Sequence, residues 1–293
     1  MKTIIAFLLT AGMVAAALET QKPGTSDQTI PIGTHRLQIH CEGRGSPTVI
    51  LDAGLGDPME KLKSLQQRIA EVTLVCAYNR AGYGNSEAGP LPRDCSREAE
   101  ELKALLEGAS MPGPYVVVGH SLGAIISEVF AAKFPRDIVG IVLLDPPPLS
   151  FIRRETYPNL LALADRMTAE WQAMADSGAK STDAQERSRA NFFRMIASEH
   201  REMFGQGGNR VAEISSFGNI PLLVMAAGKA NPLMGDVAEE YQRYWIEQSR
   251  VLSQKSSKGR FVLVEKSSHY LYVDAPDLVA ESILSMVRQF RTT

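Results

Sequence analysis

From Arg36 onward the chain alternates short apolar runs with longer stretches in which apolar residues recur every three or four positions. The short runs cover residues 48–52, 72–78, 115–118, 138–144, 222–226 and 261–264, and all are rich in Val, Ile, Leu and Ala. Runs of this length that are apolar on both faces predict strands buried between two layers, as in a parallel sheet. Residues 36–41 differ: they alternate with period two and predict a strand with one buried face. Helical periodicity fills the intervals, over 61–69, from Ser96 as N-cap to about Leu106, over 124–133, and from about Pro276 onward. Strands alternating with helices predict an α/β fold with a mostly parallel central sheet.

One interval breaks this rhythm. About 75 residues separate the run ending at Leu144 from the one starting at Leu222, and they hold helical patterns over 157–175, 183–203 and 210–215 but no strand pattern. A structureless loop of that length is improbable in a compact domain. The expected organisation is a core over 19–149 and 216–293 with a helical cap over 150–215, lying above the C-terminal strand ends where open α/β sheets bind ligands. The charged residues Arg153, Arg154, Glu155, Asp165, Arg166, Glu186, Arg187 and Arg189 read as solvated surface of the cap, and Trp171, Phe192 and Phe193 read as packing between cap and core.

The first 18 residues read as a signal peptide. Lys2 follows Met1, an apolar stretch over 3–13 is too short to span a bilayer, and Ala15, Ala16 and Ala17 offer a small-residue cleavage site. The polar segment 19–28 reads as an extended leader. Export implies a secreted or periplasmic destination that permits disulfides, so one disulfide is expected among Cys41, Cys76 and Cys95, with the pairing left open. A net charge of −2 gives no nucleic-acid footprint. No C-x-x-C pair and no nucleotide motif occurs, so neither metal nor cofactor is expected.

The chemistry concentrates at Gly119-His120-Ser121-Leu122-Gly123, where an apolar run meets a helical pattern. This is the G-x-S-x-G elbow in the context it requires, a strand turning sharply into a helix. The turn presents the Ser121 hydroxyl at a helix N-terminus, where developing negative charge is favoured. The backbone N–H of Leu122, directly after the serine, is the expected oxyanion donor. A serine nucleophile needs a base, and of five histidines His269 stands after the last apolar run, whereas the His120 side chain is expected to point away from the nucleophile.

Five motifs occur in order, each at the end of an apolar run. They are Leu51-Asp52-Ala53-Gly54-Leu55-Gly56, Tyr78-Asn79-Arg80-Ala81-Gly82-Tyr83-Gly84-Asn85-Ser86, Gly119-His120-Ser121-Leu122-Gly123, Val142-Leu143-Leu144-Asp145-Pro146 and Ser268-His269-Tyr270. With these the chain resembles the α/β-hydrolase superfamily, and within it the secreted or periplasmic, esterase-like serine hydrolases. The resemblance runs from about His35 to Phe290. It implies a second oxyanion donor at Leu55, a base at His269, and an acid at Asp145, with Asp236 as the alternative.

Three positions depart from the pattern. Asn79 replaces an acid, Ala53 a histidine, and Asn231 the aspartate that many members carry after the seventh strand. Asparagine can accept a hydrogen bond from a histidine ring but cannot offset imidazolium charge. The resemblance implies cleavage of a small carboxylic ester or lactone through an acyl-enzyme, by a monomer or weak homodimer with no stable membrane insertion after processing. Amide cleavage, cofactor-free haloperoxidase chemistry, and a binding protein that has lost catalysis are the alternatives. Serine at the elbow argues against dehalogenase and epoxide-hydrolase chemistry, which uses aspartate there.

Overall fold

The computed structural model describes residues 26–148, 158–205 and 210–291, so the expected signal peptide and the first residues of the expected cap lie outside the described residues. The core is one eight-stranded sheet in the order β1-β2-β4-β3-β5-β6-β7-β8. Its strands are β1 (Ser26–Pro31), β2 (Arg36–Glu42), β3 (Thr48–Asp52), β4 (Val75–Asn79), β5 (Tyr115–His120), β6 (Ile138–Leu144), β7 (Leu222–Ala227) and β8 (Gly259–Val264). From β4 across to β8 every pairing is parallel; β1 pairs with β2, and β2 with β4, antiparallel.

Alternate side chains on each central strand enter opposite core layers. Val117 and Ile50 pack with α2 (Cys95–Gly108) and α3 (Leu122–Lys133) on one face. Val116, Val118, Val49 and Leu51 pack with α1 (Lys63–Ala70) and the C-terminal helix Pro276–Arg288 on the other. Burial of each such side chain is worth about 1.5–3 kcal/mol, which is why these runs are apolar throughout.

Two expectations are corrected here. Ser26–Pro31, assigned partly to an extended leader, is an edge strand whose whole length pairs with β2. Asp94, not Ser96, caps α2: its carboxylate accepts the backbone N–H groups of Ser96 and Arg97. The charged acceptor sits one residue before the first helical turn, which Ser96 has already entered.

Between β6 and β7 lie α4 (Pro158–Gly178) and α5 (Ala184–Met203), which pack on each other, while residues 210–212 are helical. Helix α6 (Ala238–Ser253) follows β7, and the short α7 (Leu271–Asp274) precedes α8 (Pro276–Arg288). Cys41 and Cys76 stand directly opposite each other on β2 and β4 and are joined in a disulfide, while Cys95 is a buried free thiol.

Candidate active site

The parallel register brings the C-terminal ends of β3, β5, β6 and β7 to one edge: Asp52 stands beside Gly119, and His120 beside Leu144. The turn after β5 is tight. A Cβ on Gly119 would lie 2.1 Å from the carbonyl oxygen of Gly123, and one on Gly123 would lie 2.4 Å from that of Asp52. Ser121, between them, adopts φ 53° and ψ −117°, a strained conformation for a residue with a side chain. The surroundings hold it there: its N–H donates to the Leu144 carbonyl, and its own carbonyl accepts the N–H of Ala124.

Asp145 follows β6 with φ 48° and is almost wholly buried. Its N–H donates to the Met225 carbonyl, and its Oδ1 accepts the N–H of Ala227, so β7 fixes both backbone and carboxylate. Oδ2 is 2.6 Å from Nδ1 of His269. Facing a carboxylate, Nδ1 carries the proton and donates, which leaves Nε2 with a free lone pair. His269 is held in turn by its loop, where the Ser268 N–H donates to Asp274. Asp236 is exposed on the segment Pro232–Val237, and the carboxylate on His269 is that of Asp145.

His120 does more than the sequence indicates. It donates from Nε2 to the backbone carbonyl of His269 at 2.9 Å, with the two rings 4.6 Å apart. Burial pushes it well below the usual histidine range, so it is neutral, and its Nδ1 has no hydrogen-bond partner among the described residues. Asn79 contributes structurally at the departing motif position: it accepts the N–H of Met59 and donates to Gln38.

The loop after β3 is held by a buried ionic network. Arg80 donates to Asp52 and to the carbonyls of Ala53 and Gly54, at 2.7–2.8 Å, and its Nε reaches Glu199 on α5. Tyr83 donates to Glu199 at 2.5 Å and accepts the N–H of Gly56. Leu55 therefore sits between two residues whose backbone polar groups are clamped. Burial raises the Asp52 carboxyl above its ordinary range, partly opposed by Arg80. Glu98, buried near Glu199, is held well above the usual range by burial and that neighbouring charge.

Ser121, Asp145 and His269 line one cavity of about 240 Å³. Its walls are mostly apolar: Leu160, Leu163 and Met167 from α4, Met203 from α5, and Tyr241 and Trp245 from α6. The Trp245 ring meets the edge of His269 at 5.7 Å. Trp171, Phe192 and Phe193 instead pack with Tyr83, Leu55 and Met195. His200, Gln242 and Trp245 were not legible as site residues, because the packing of α4, α5 and α6 over the strand ends brings them there.

The model of the alpha/beta hydrolase family matches residues 49–282. An uncharacterized protein of Bacillus subtilis, YqjL, is 27% identical over 241 residues, covering 82% of this chain and 83% of its own. An AB hydrolase superfamily protein of Gibberella zeae is 23% identical over 286 residues, covering 84% and 87%. Among solved structures, a thermophilic esterase from Thermogutta terrifontis matches with a TM-score of 0.65 at 17% identity, over 91% of this chain and all of the other. Epoxide hydrolase VrEH1 from Vigna radiata matches with the same TM-score at 13% identity, over 91% and 99%. Such distant likenesses speak for the fold alone, but the family match spans most of the sheet, the serine turn and the His269 loop. The chain belongs to the alpha/beta hydrolase family.

Proposed function

We propose that this protein is a serine hydrolase that cleaves a small carboxylic ester or lactone through an acyl-enzyme intermediate. The observation that carries the reading is the 2.6 Å bond between His269 Nδ1 and Asp145 Oδ2, in a cavity that Ser121 also lines. Ser121 Oγ attacks the acyl carbon while His269 Nε2 takes its proton. Asp145 holds the ring's tautomer and stabilises the imidazolium. The tetrahedral oxyanion is held by the N–H groups of Leu122, at the start of α3, and Leu55, in the loop that Arg80 and Tyr83 clamp. The tetrahedral centre collapses as His269 returns the proton to the departing alcohol. Water activated by the same histidine then releases the acid.

Serine rather than aspartate at the elbow favours this chemistry over epoxide opening, despite the epoxide-hydrolase neighbour. The apolar walls support a small-molecule substrate rather than a polymer or nucleic acid. Export as a monomer or weak homodimer is part of the proposal. The Cys41–Cys76 disulfide supports it, and no helix among the described residues is long and apolar enough to cross a membrane. The test is hydrolysis of p-nitrophenyl butyrate by the wild type and by Ser121→Ala. Turnover that disappears in the folded variant is expected; undiminished turnover would overturn the assignment.

A further inference from the structure

Several polar side chains of the cavity take no part in the mechanism above, and most of them are already engaged. Gln242 donates to the Ala227 carbonyl, His200 meets the Thr168 hydroxyl, and Asn231 and Tyr241 interact with other residues. Asp145, the one carboxylate among the described lining residues, has both oxygens taken, by the Ala227 N–H and by His269. Two groups are left over, and both are donors. Trp245 Nε1 is buried without a hydrogen-bond partner among the described residues, and an indole N–H can only donate. Lys229 lines the cavity and is exposed, so it stands at the rim, and it forms no ion pair among the described residues. The Asp274 carboxyl, drawn below its ordinary range chiefly by Ser268 and to a lesser extent by Lys229, is itself exposed. Both donors belong to the β7 side of the cavity. Lys229 follows β7 by two residues, and its N–H donates to the Ser267 carbonyl in the loop that carries His269. Trp245 is one helical turn beyond Gln242, and its ring meets that of His269 at 5.7 Å.

A cavity with a cation lacking a counter-ion, a buried donor lacking an acceptor, and no free carboxylate favours an anionic ligand. We infer that Lys229 is a specificity-determining residue that pairs with negative charge on the substrate, so that the preferred esters carry a carboxylate remote from the scissile carbonyl. The Trp245 N–H is a second donor to that carboxylate. The assignment rests on the serine-hydrolase reading and narrows its substrate class. The apolar walls from Leu160, Leu163 and Met167 suit an aliphatic stretch between carboxylate and ester. An ester with a cationic group in the same place meets Lys229 as a like charge and is disfavoured.

The test compares kcat/KM, by acid release in a pH-stat, for monomethyl adipate, methyl hexanoate and methyl 6-aminohexanoate. A second series, 6-acetoxyhexanoate, hexyl acetate and 6-acetoxyhexylammonium, places the charge on the alcohol side. In at least one series the wild type should prefer the anionic ester to the neutral one by about tenfold, with the cationic ester last. Added salt should shrink that ratio, because the Lys229 ammonium is exposed. Lys229→Gln should bring the ratio of anionic to neutral ester close to one, and Lys229→Glu should reverse it in favour of the cationic ester. Lys229 is on the surface, so both variants should fold, and each ratio is internal to one enzyme. Trp245→Phe keeps a ring against His269 but removes the N–H, and it should raise KM for the anionic ester more than for the neutral one. A purely structural role for Trp245 would affect all the esters alike. Equal kcat/KM for anionic and neutral esters in both series, or a preference that survives both Lys229 substitutions, would overturn the assignment while leaving ester hydrolysis intact. A wild type that turns over no ester would instead refute the serine-hydrolase reading, and this inference with it.

Discussion

Replacement of Asp145 by asparagine tests how the site is wired. The substitution barely changes shape, but its two oxygens are not equivalent: Oδ1 accepts the Ala227 N–H at 2.9 Å and Oδ2 accepts from His269 at 2.6 Å. An asparagine that keeps its oxygen on Ala227 turns its amide N–H toward Nδ1. The ring must then accept there and carry its proton on Nε2, where it cannot serve as a base. Flipping the amide restores the tautomer but faces two donors at Ala227, at a cost of about 1–3 kcal/mol for a buried unpaired group. Loss of the charge-assisted bond to the developing imidazolium adds about 1.5–3 kcal/mol. The sum, about 2.5–6 kcal/mol, predicts a fall of about 10²–10⁴ in kcat. The same exchange in a chymotrypsin-like triad costs about 10⁴. The assay is kcat and kcat/KM on a p-nitrophenyl ester, with circular dichroism and thermal melting to establish folding. Asp236→Asn, on an exposed turn, should change the rate less than tenfold. A folded Asp145→Asn enzyme that keeps more than a tenth of the wild-type rate would refute the wiring.

Three further outcomes follow from other parts of the molecule. Arg80 is fully buried between Asp52 and Glu199, so Arg80→Ala leaves two uncompensated carboxylates and should lower stability by about 3–5 kcal/mol in urea titration; near-neutrality would contradict the network. The Cys41–Cys76 bridge closes a loop with a sequence separation of 35, which chain entropy values at about 4 kcal/mol. Intact mass should rise by two hydrogens on reduction, and only the Cys95 thiol, buried in the folded protein, should react in the unreduced, denatured chain. Glu128 on α3 is buried and pushed up to about 7 by burial, with Lys255 opposing. Between its ordinary 4.5 and 7 the folded state retains a proton that the unfolded state has lost. Stability should therefore fall over that window by about 3 kcal/mol. Glu128→Gln should melt above the wild type at pH 8 and lose that advantage near pH 5; a constant difference would refute it.

What the sequence made legible was whatever burial on both faces of a strand writes into composition. The runs that became β3, β5, β6 and β7 are apolar because helices cover them on either side. β1 escaped notice because Ser26–Pro31 is a polar edge strand, held by backbone pairing to β2 that leaves no hydrophobic signature. The serine turn was readable because Gly119 and Gly123 answer a steric demand that acts within five residues. Asp145 was identified only as one of two candidate acids, since its role depends on a partner 124 positions away. Arg80 and Glu199 are separated by 119 positions, and the helical pattern of α5 does not reveal which of its charges turns inward. His200 shares that difficulty: periodicity places it on a helix, but only the packing of α4 and α5 sets Thr168 on its Nδ1.

The central claim is that Ser121 is a nucleophile activated by His269, and covalent labelling tests it without knowledge of the substrate. The purified protein is treated with a fluorophosphonate, and the modified peptide is located by mass spectrometry. One adduct on Ser121 is predicted, abolished in Ser121→Ala and strongly slowed in His269→Ala. A folded wild type that takes up no label, or takes it up at another residue, would contradict the account and leave a binding protein on a hydrolase scaffold.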